Sequence, residues 1–103
     1  MPRPPIHPGE ILADELKELE ISAAELARSL QVPANRITQI LSGKRAITAD
    51  TALRLARWFG TTAEFWLNLQ KNYELRLAEQ KEGPEIERTI IPRSQTPLLN
   101  PTP

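Results

Sequence analysis

Ser22-Ala23-Ala24-Glu25-Leu26-Ala27-Arg28-Ser29-Leu30-Gln31-Val32-Pro33-Ala34-Asn35-Arg36-Ile37-Thr38-Gln39-Ile40-Leu41-Ser42-Gly43 is the stretch that decides the fold. Ser22 and Glu25 have the Ser-x-x-Glu spacing of a capping box, in which each side chain satisfies a backbone donor of the other. Leu26, Ala27 and Leu30 follow as one buried stripe. Gln31 and Val32 form a short turn, and Pro33 stands where a helix starts, a position that tolerates proline. Ile37, Ile40 and Leu41 then recur at helical spacing until Ser42-Gly43 ends the segment. Two short helices joined by a turn of about three residues is the expected result.

The same punctuation extends in both directions. A first helix opens at Pro8-Gly9 with Ile11, Leu12, Leu16 and Leu19 on its apolar side. A fourth is capped by Thr48, carries Leu53, Leu55, Ala56 and Phe59, and ends at Gly60. Thr61 and Glu64 read as a second capping box, for a fifth helix running to about Lys81. No stretch between Pro8 and Gly83 alternates as a strand does, so the chain reads as all-α. Four prolines fall in the first eight residues and five in the last twenty, leaving Pro33 alone between them. Proline removes a backbone donor and bars helix interiors. The expected organisation is an extended N-terminal arm over 1–7, a helical domain over 8–82, and a Pro-rich tail over 83–103. Within that tail, Thr89-Ile90-Ile91 are consecutive β-branched residues. They predict a short strand near 86–91, paired across a dimer or on another protein's sheet edge.

The chain has 103 residues, no cysteine, one histidine and a formal net charge of zero. That length is one domain. Without cysteine there is no disulfide framework and no thiolate metal site, and His7 alone makes a histidine metal centre untenable. No membrane span or leader is legible, so a cytoplasmic, nucleoid-associated protein is expected. His7 has no serine or cysteine motif near it, and no glycine-rich phosphate loop exists. Catalysis, cofactor, metal and small-molecule substrate are therefore not expected.

The balanced charge conceals segregation. Residues 1–27 carry Arg3 and Lys17 against six acids, whereas residues 28–58 carry six bases against Asp50 alone. A basic segment of this kind suits an anionic surface. With Ile37, Ile40 and Leu41 inward, Asn35 and Gln39 point outward from the third helix, flanked by Arg36, Thr38 and, at the leading end, Ala34. Amides match the N6/N7 edge of adenine, and alanine or threonine methyls match the thymine methyl. The pair of helices is thus read as a helix-turn-helix, with Ala34, Asn35, Thr38 and Gln39 on bases and Arg28, Arg36, Lys44 and Arg45 on phosphates. Arg54 and Arg57 fit either a phosphate contact or an exposed helix face. Glu10, Asp14 and Glu18 share one face of the first helix. That face is either solvated or a dock for a basic protein.

Four blocks resemble a known family: Pro8-Gly9-Glu10-Ile11-Leu12, Ser42 to Thr48, Thr51 to Ala56, and Phe65-Trp66-Leu67-Asn68-Leu69-Gln70 with Tyr73 following. Over residues 7–78 the chain is similar to the HigA (VapI-like) antitoxins, of the lambda-repressor-like, Xre-type helix-turn-helix class. The resemblance implies a five-helix domain and a dimeric repressor of its own operon. It also implies a HigB-type toxin partner of RelE-like fold, which cleaves mRNA on the ribosome. Many members have serine where this chain has Pro33. A stand-alone Xre-type repressor with no toxin is the alternative.

Trp66, Leu69, Tyr73 and Leu77 form one stripe of the fifth helix, while Phe65, Leu67 and Leu75 lie off it. So wide an apolar surface predicts two contacts, with one of Trp66 and Tyr73 in the domain's own core. Phe65, Trp66, Leu69, Tyr73 and Ile90 are therefore candidates for a homodimer interface, which a palindromic operator requires.

Overall fold

The computed structural model describes residues 4–95, so calls on residues 1–3 of the arm and 96–103 of the tail lie outside the described residues. Five α-helices follow in order: α1 (Pro8–Leu19), α2 (Ala23–Leu30), α3 (Ala34–Leu41), α4 (Ala49–Phe59) and α5 (Ala63–Thr89), with a short 3-10 turn at Arg93–Gln95. There is no strand among the described residues. α2 packs on α3, α3 on α1, and α4 on α5. The core between them is built from Leu12, Leu16, Leu26, Leu30, Ile37, Ile40, Leu55 and Trp66, with Ile47 from the connecting loop.

Local chemistry sets each boundary. Ser22 and Glu25 make the expected box: Glu25 N–H donates to Ser22 Oγ at 3.1 Å, and Ser22 N–H to Glu25 Oε1 at 2.9 Å. Glu20 and Gln31 end α1 and α2 in left-handed conformation, as Gly60 ends α4. The second box differs from expectation. Thr62 is the cap of α5, accepting from Phe65 N–H at 3.1 Å, because the hydroxyl of Thr61 accepts from Trp66 Nε1 at 2.9 Å.

α1 is capped by the one histidine. Gly9 N–H donates to His7 Nδ1 at 2.9 Å, and His7 N–H donates back to Glu10 Oε2 at 3.3 Å. The imidazole is buried and meets Tyr73 of α5 edge-on at 4.8 Å. Beside it, α1 approaches the end of α3 closely: a Cβ built on Gly9 would stand 1.9 Å from the Ile40 carbonyl oxygen. Only glycine permits that contact.

Two expectations are corrected at α5. It continues past Lys81, through Gly83 and Pro84, to Thr89, so residues 86–89 are helical rather than part of a strand. Pro84 lacks the N–H of a normal helical residue, an interior cost of about 3 kcal/mol. Bonds on its C-terminal side carry the helix on: Arg88 pairs with Glu85, Thr89 Oγ1 donates to Glu85 O at 2.8 Å, and Ile90 N–H to Ile86 O at 2.8 Å. Trp66, expected at a dimer interface, is core instead. It is 1% exposed, and its indole N–H is satisfied within the protomer. Of the apolar positions read along α1 and α4, Leu19 and Leu53 are 48% and 63% exposed.

Gly9→Ala should therefore destabilise the fold by about 1–3 kcal/mol, the range for overpacking. Gly83→Ala, with nothing within 4 Å of its added Cβ, should instead stabilise α5 by roughly 0.5–1 kcal/mol. Denaturant unfolding of the two variants checks both signs. Acid should act through His7. Burial pushes its pKa below the ordinary 6.5, outweighing the upward pull of Glu10. The unfolded chain then takes up this proton before the folded one does. Stability is full above about pH 6.5 and is lost as pH falls from there toward the depressed folded value. His7→Asn, whose amide oxygen can take the place of Nδ1 as the cap without a titrating ring, should flatten the slope below pH 6.5.

Candidate nucleic-acid interface

α2 and α3 are joined through Gln31, Val32 and Pro33, and α3 buries Ile37 and Ile40. Ala34, Asn35 and Thr38 are exposed on its opposite side, and Gln39 is half-buried at the rim. Pro33 gives α3 no side-chain cap, so Arg36 N–H bonds the Pro33 carbonyl at 3.0 Å. Thr38 Oγ1 donates to the Asn35 backbone carbonyl at 3.3 Å, and the Asn35 side chain is exposed. No acidic side chain stands on this helix.

The basic residues divide into two groups. Asp50, in the first turn of α4, holds Arg36 at 2.6 Å and Arg54 at 3.0 Å. The Arg54 guanidinium, then that of Arg36, holds the Asp50 carboxyl below its ordinary pKa. Arg54 also donates to Leu30 O at 2.8 Å, covering a carbonyl at the end of α2. It is a clamp across α2 and α4, and Arg36 is tied to the same carboxylate. Arg28 and Lys44 are exposed. Arg45 is also exposed, and its Nε donates to Gln39 Oε1 at 2.8 Å.

The loop carrying Lys44 and Arg45 is held from both ends and from beneath. Lys44 N–H and Ser42 Oγ donate to the Gln39 carbonyl at 2.8 and 3.1 Å. A side chain on Gly43 would touch the His7 ring at 3.9 Å, so that ring lies under the loop. Ile47 N–H donates to Gln70 Oε1 of α5 at 2.9 Å, and Gln70 Nε2 donates to Glu74 at 2.7 Å. Sequence reasoning missed His7, Asp50 and Gln70 as supports. Asp50 and Arg54 are four residues apart on one helix, a spacing that signals a pair. Gln70 gives no such signal, since its partner lies 23 residues away.

A second surface lies along the arm and α5. A groove of about 780 Å3 runs between Pro4, Pro5 and Ile6 of the arm, Ile11, and Leu69, Tyr73 and Pro84 of α5. Leu69 and Tyr73 are half-buried along it, whereas Phe65 and Ile90 are 44% and 63% exposed. No helix among the described residues is long and apolar enough to cross a membrane.

These elements match known proteins. The helix-turn-helix family model covers residues 12–66. Virulence-associated protein I of Dichelobacter nodosus is 55% identical over 93 residues, covering 88% of this chain and 83% of that protein. The structure of an addiction module antidote protein of the HigA family from Coxiella burnetii is 58% identical with a TM-score of 0.86, covering 87% of this chain and 99% of that one. The chain belongs to the HigA family of helix-turn-helix antitoxins. Another HigA, from Pseudomonas aeruginosa, was solved with the higBA promoter. It is 52% identical with a TM-score of 0.83, covering 85% of this chain and 97% of that one.

Within this HigA-family fold, the buried amide of Gln70 is a long-range hydrogen-bond anchor of the loop after α3. Gln70→Leu should leave the Ile47 N–H unsatisfied and cost about 1–3 kcal/mol. Amide hydrogen exchange at Ile47 should accelerate while α2 keeps its protection.

Proposed function

We propose that this chain is the antitoxin of a HigBA-type module: a sequence-specific DNA-binding autorepressor that neutralises a RelE-like mRNA endonuclease. The observation that carries the DNA reading is the exposed, acid-free face of α3 beside the basic loop at Lys44 and Arg45. The Pseudomonas aeruginosa HigA solved with promoter DNA supports it. Ala34, Asn35, Thr38 and Gln39 are the base-contact candidates. Arg28 and Lys44 position the duplex through phosphates, whereas Arg36 contributes mainly to the field because Asp50 holds it. No catalysis is assigned to the protein, which works in the cytoplasm at the nucleoid.

The protein binds as a homodimer, with half-sites of a palindromic operator about one helical turn, roughly 34–36 Å, apart. The second copy uses the arm and α5, where Leu69 and Tyr73 line the groove and Phe65 and Ile90 are exposed. Family membership is what supports the toxin partner. A gel-shift assay on the protein's own promoter, with and without the adjacent gene product, tests the whole reading. Binding with no effect of that product, and no small toxin gene beside it, would favour the stand-alone repressor.

The two contact classes should separate in the same assay. Asn35→Ala should cost about 1–3 kcal/mol on the operator and little on random duplex. Lys44→Ala should weaken both equally and reduce the salt slope by about one. An equal loss on both duplexes for Asn35→Ala would move that residue to the positioning class.

A further inference from the structure

Gln39 and Arg45 are joined in the structure. The Arg45 Nε–H donates to Gln39 Oε1 at 2.8 Å. A guanidinium has five donors and no acceptor, so only the oxygen end of the amide fits against it. The orientation of the Gln39 side chain is therefore dictated by its partner. The turn that folds Arg45 back over α3 is fixed independently, by the two donors on the Gln39 carbonyl and by the Ile47 anchor two residues on. Arg45 makes no ion pair with a carboxylate among the described residues, unlike Arg36 and Arg54.

Outward, the joined side chains offer donors: the Nε2–H2 of Gln39 and the terminal N–H groups of Arg45. Adenine presents an acceptor at N7 and a donor at N6, and an amide reads it by using its own oxygen as well as its nitrogen. Arg45 Nε–H takes one of that oxygen's two lone pairs and sets its other guanidinium N–H groups beside it, so the N6 donor of adenine would face donors there. Cytosine offers a donor and thymine a single acceptor beside a methyl. Guanine alone offers two adjacent acceptors, N7 and O6. We propose that Gln39 and Arg45 form a single all-donor unit that reads a guanine in each operator half-site, which makes Arg45 a specificity-determining residue rather than a phosphate contact. This proposal rests on the DNA-binding function above.

The test is selection of bound duplexes from a library of 20 randomised base pairs, using the full chain and the variants Gln39→Ala, Arg45→Ala and Arg45→Lys. The wild type should enrich one guanine per half-site whose preference is lost, at the same position, in both alanine variants. Discrimination at that position should fall roughly 5- to 150-fold. Arg45→Lys keeps the charge but not the planar fork, so it should retain affinity for random duplex and still lose the guanine. Placing 7-deazaguanine there, with C–H in place of N7, should weaken the wild type and leave Arg45→Ala unaffected. Adenine at the Gln39-dependent position, two variants relaxing different positions, or uniform weakening by Arg45→Ala with the motif intact would each overturn the proposal while DNA binding stands. Enrichment of no motif by the wild type, with circular dichroism confirming its helices, would overturn both.

Discussion

The contact between Gly9 and the carbonyl of Ile40 has no side chain in it, and the placement of the recognition helix depends on it. A Cβ at Gly9 would overlap that oxygen, so α1 rests on the last turn of α3 backbone to backbone. The same carbonyl accepts from Gly43 N–H at 3.0 Å, where the chain turns out of the helix. One residue before Gly9, Pro8 starts α1, and one before that, His7 caps it while lying under Gly43 and against Tyr73. Three neighbouring positions thus bind the arm, α1, the end of α3 and α5 into one joint. These contacts lie on the inward side of α3, opposite the face bearing Asn35.

The basic middle of the chain does two physically different jobs. Arg36 and Arg54 share Asp50, and one of them also covers the end of α2, so part of their hydrogen-bonding capacity holds α2, α3 and α4 together. Their charge is not spent: two guanidiniums around one carboxylate still leave a net positive site. Such residues raise the local potential while tying helices together, whereas Lys44 and Arg45 are exposed and make no ion pair among the described residues. Counting basic residues along the sequence cannot separate these roles, because the separation is made by where one aspartate stands.

What was legible follows from interaction range. Ser22 and Glu25 are three residues apart and their box is local chemistry, so its prediction matches the structure. The α2–turn–α3 spacing and the buried Ile37 and Ile40 were legible for the same reason. Thr61 and Thr62 were not distinguishable locally. Trp66, five residues from Thr61, takes the first hydroxyl and leaves the second as the cap. The end of α5 was misjudged because glycine and proline were given full weight as breakers. A proline costs one donor, and the bonds that close around Glu85 and Ile86 carry the helix past it. Among the site residues, Asn35 and Thr38 stand on the exposed face that periodicity predicts. The Gln39–Arg45 bond spans a loop and has no periodic signature.

Charge segregation completes the electrostatic logic. On α1, Leu12 and Leu16 are buried, and Asp14 and Glu18 follow each of them by two positions, which turns both acids to the opposite side of the helix. Since α1 lies on the inward side of α3 through Gly9, that acidic side points away from the core and from the face bearing Asn35. A chain of zero net charge is in this way polarised across its own thickness. At 0.15 M salt the Debye length is about 8 Å, less than the roughly 10 Å diameter of one helix. The acids of α1 are thus screened from anything resting on α3, whereas Lys44 and Arg45 stand within contact of it. Zero net charge therefore costs the basic face little attraction at close range, because the compensating acids are kept one helix layer away.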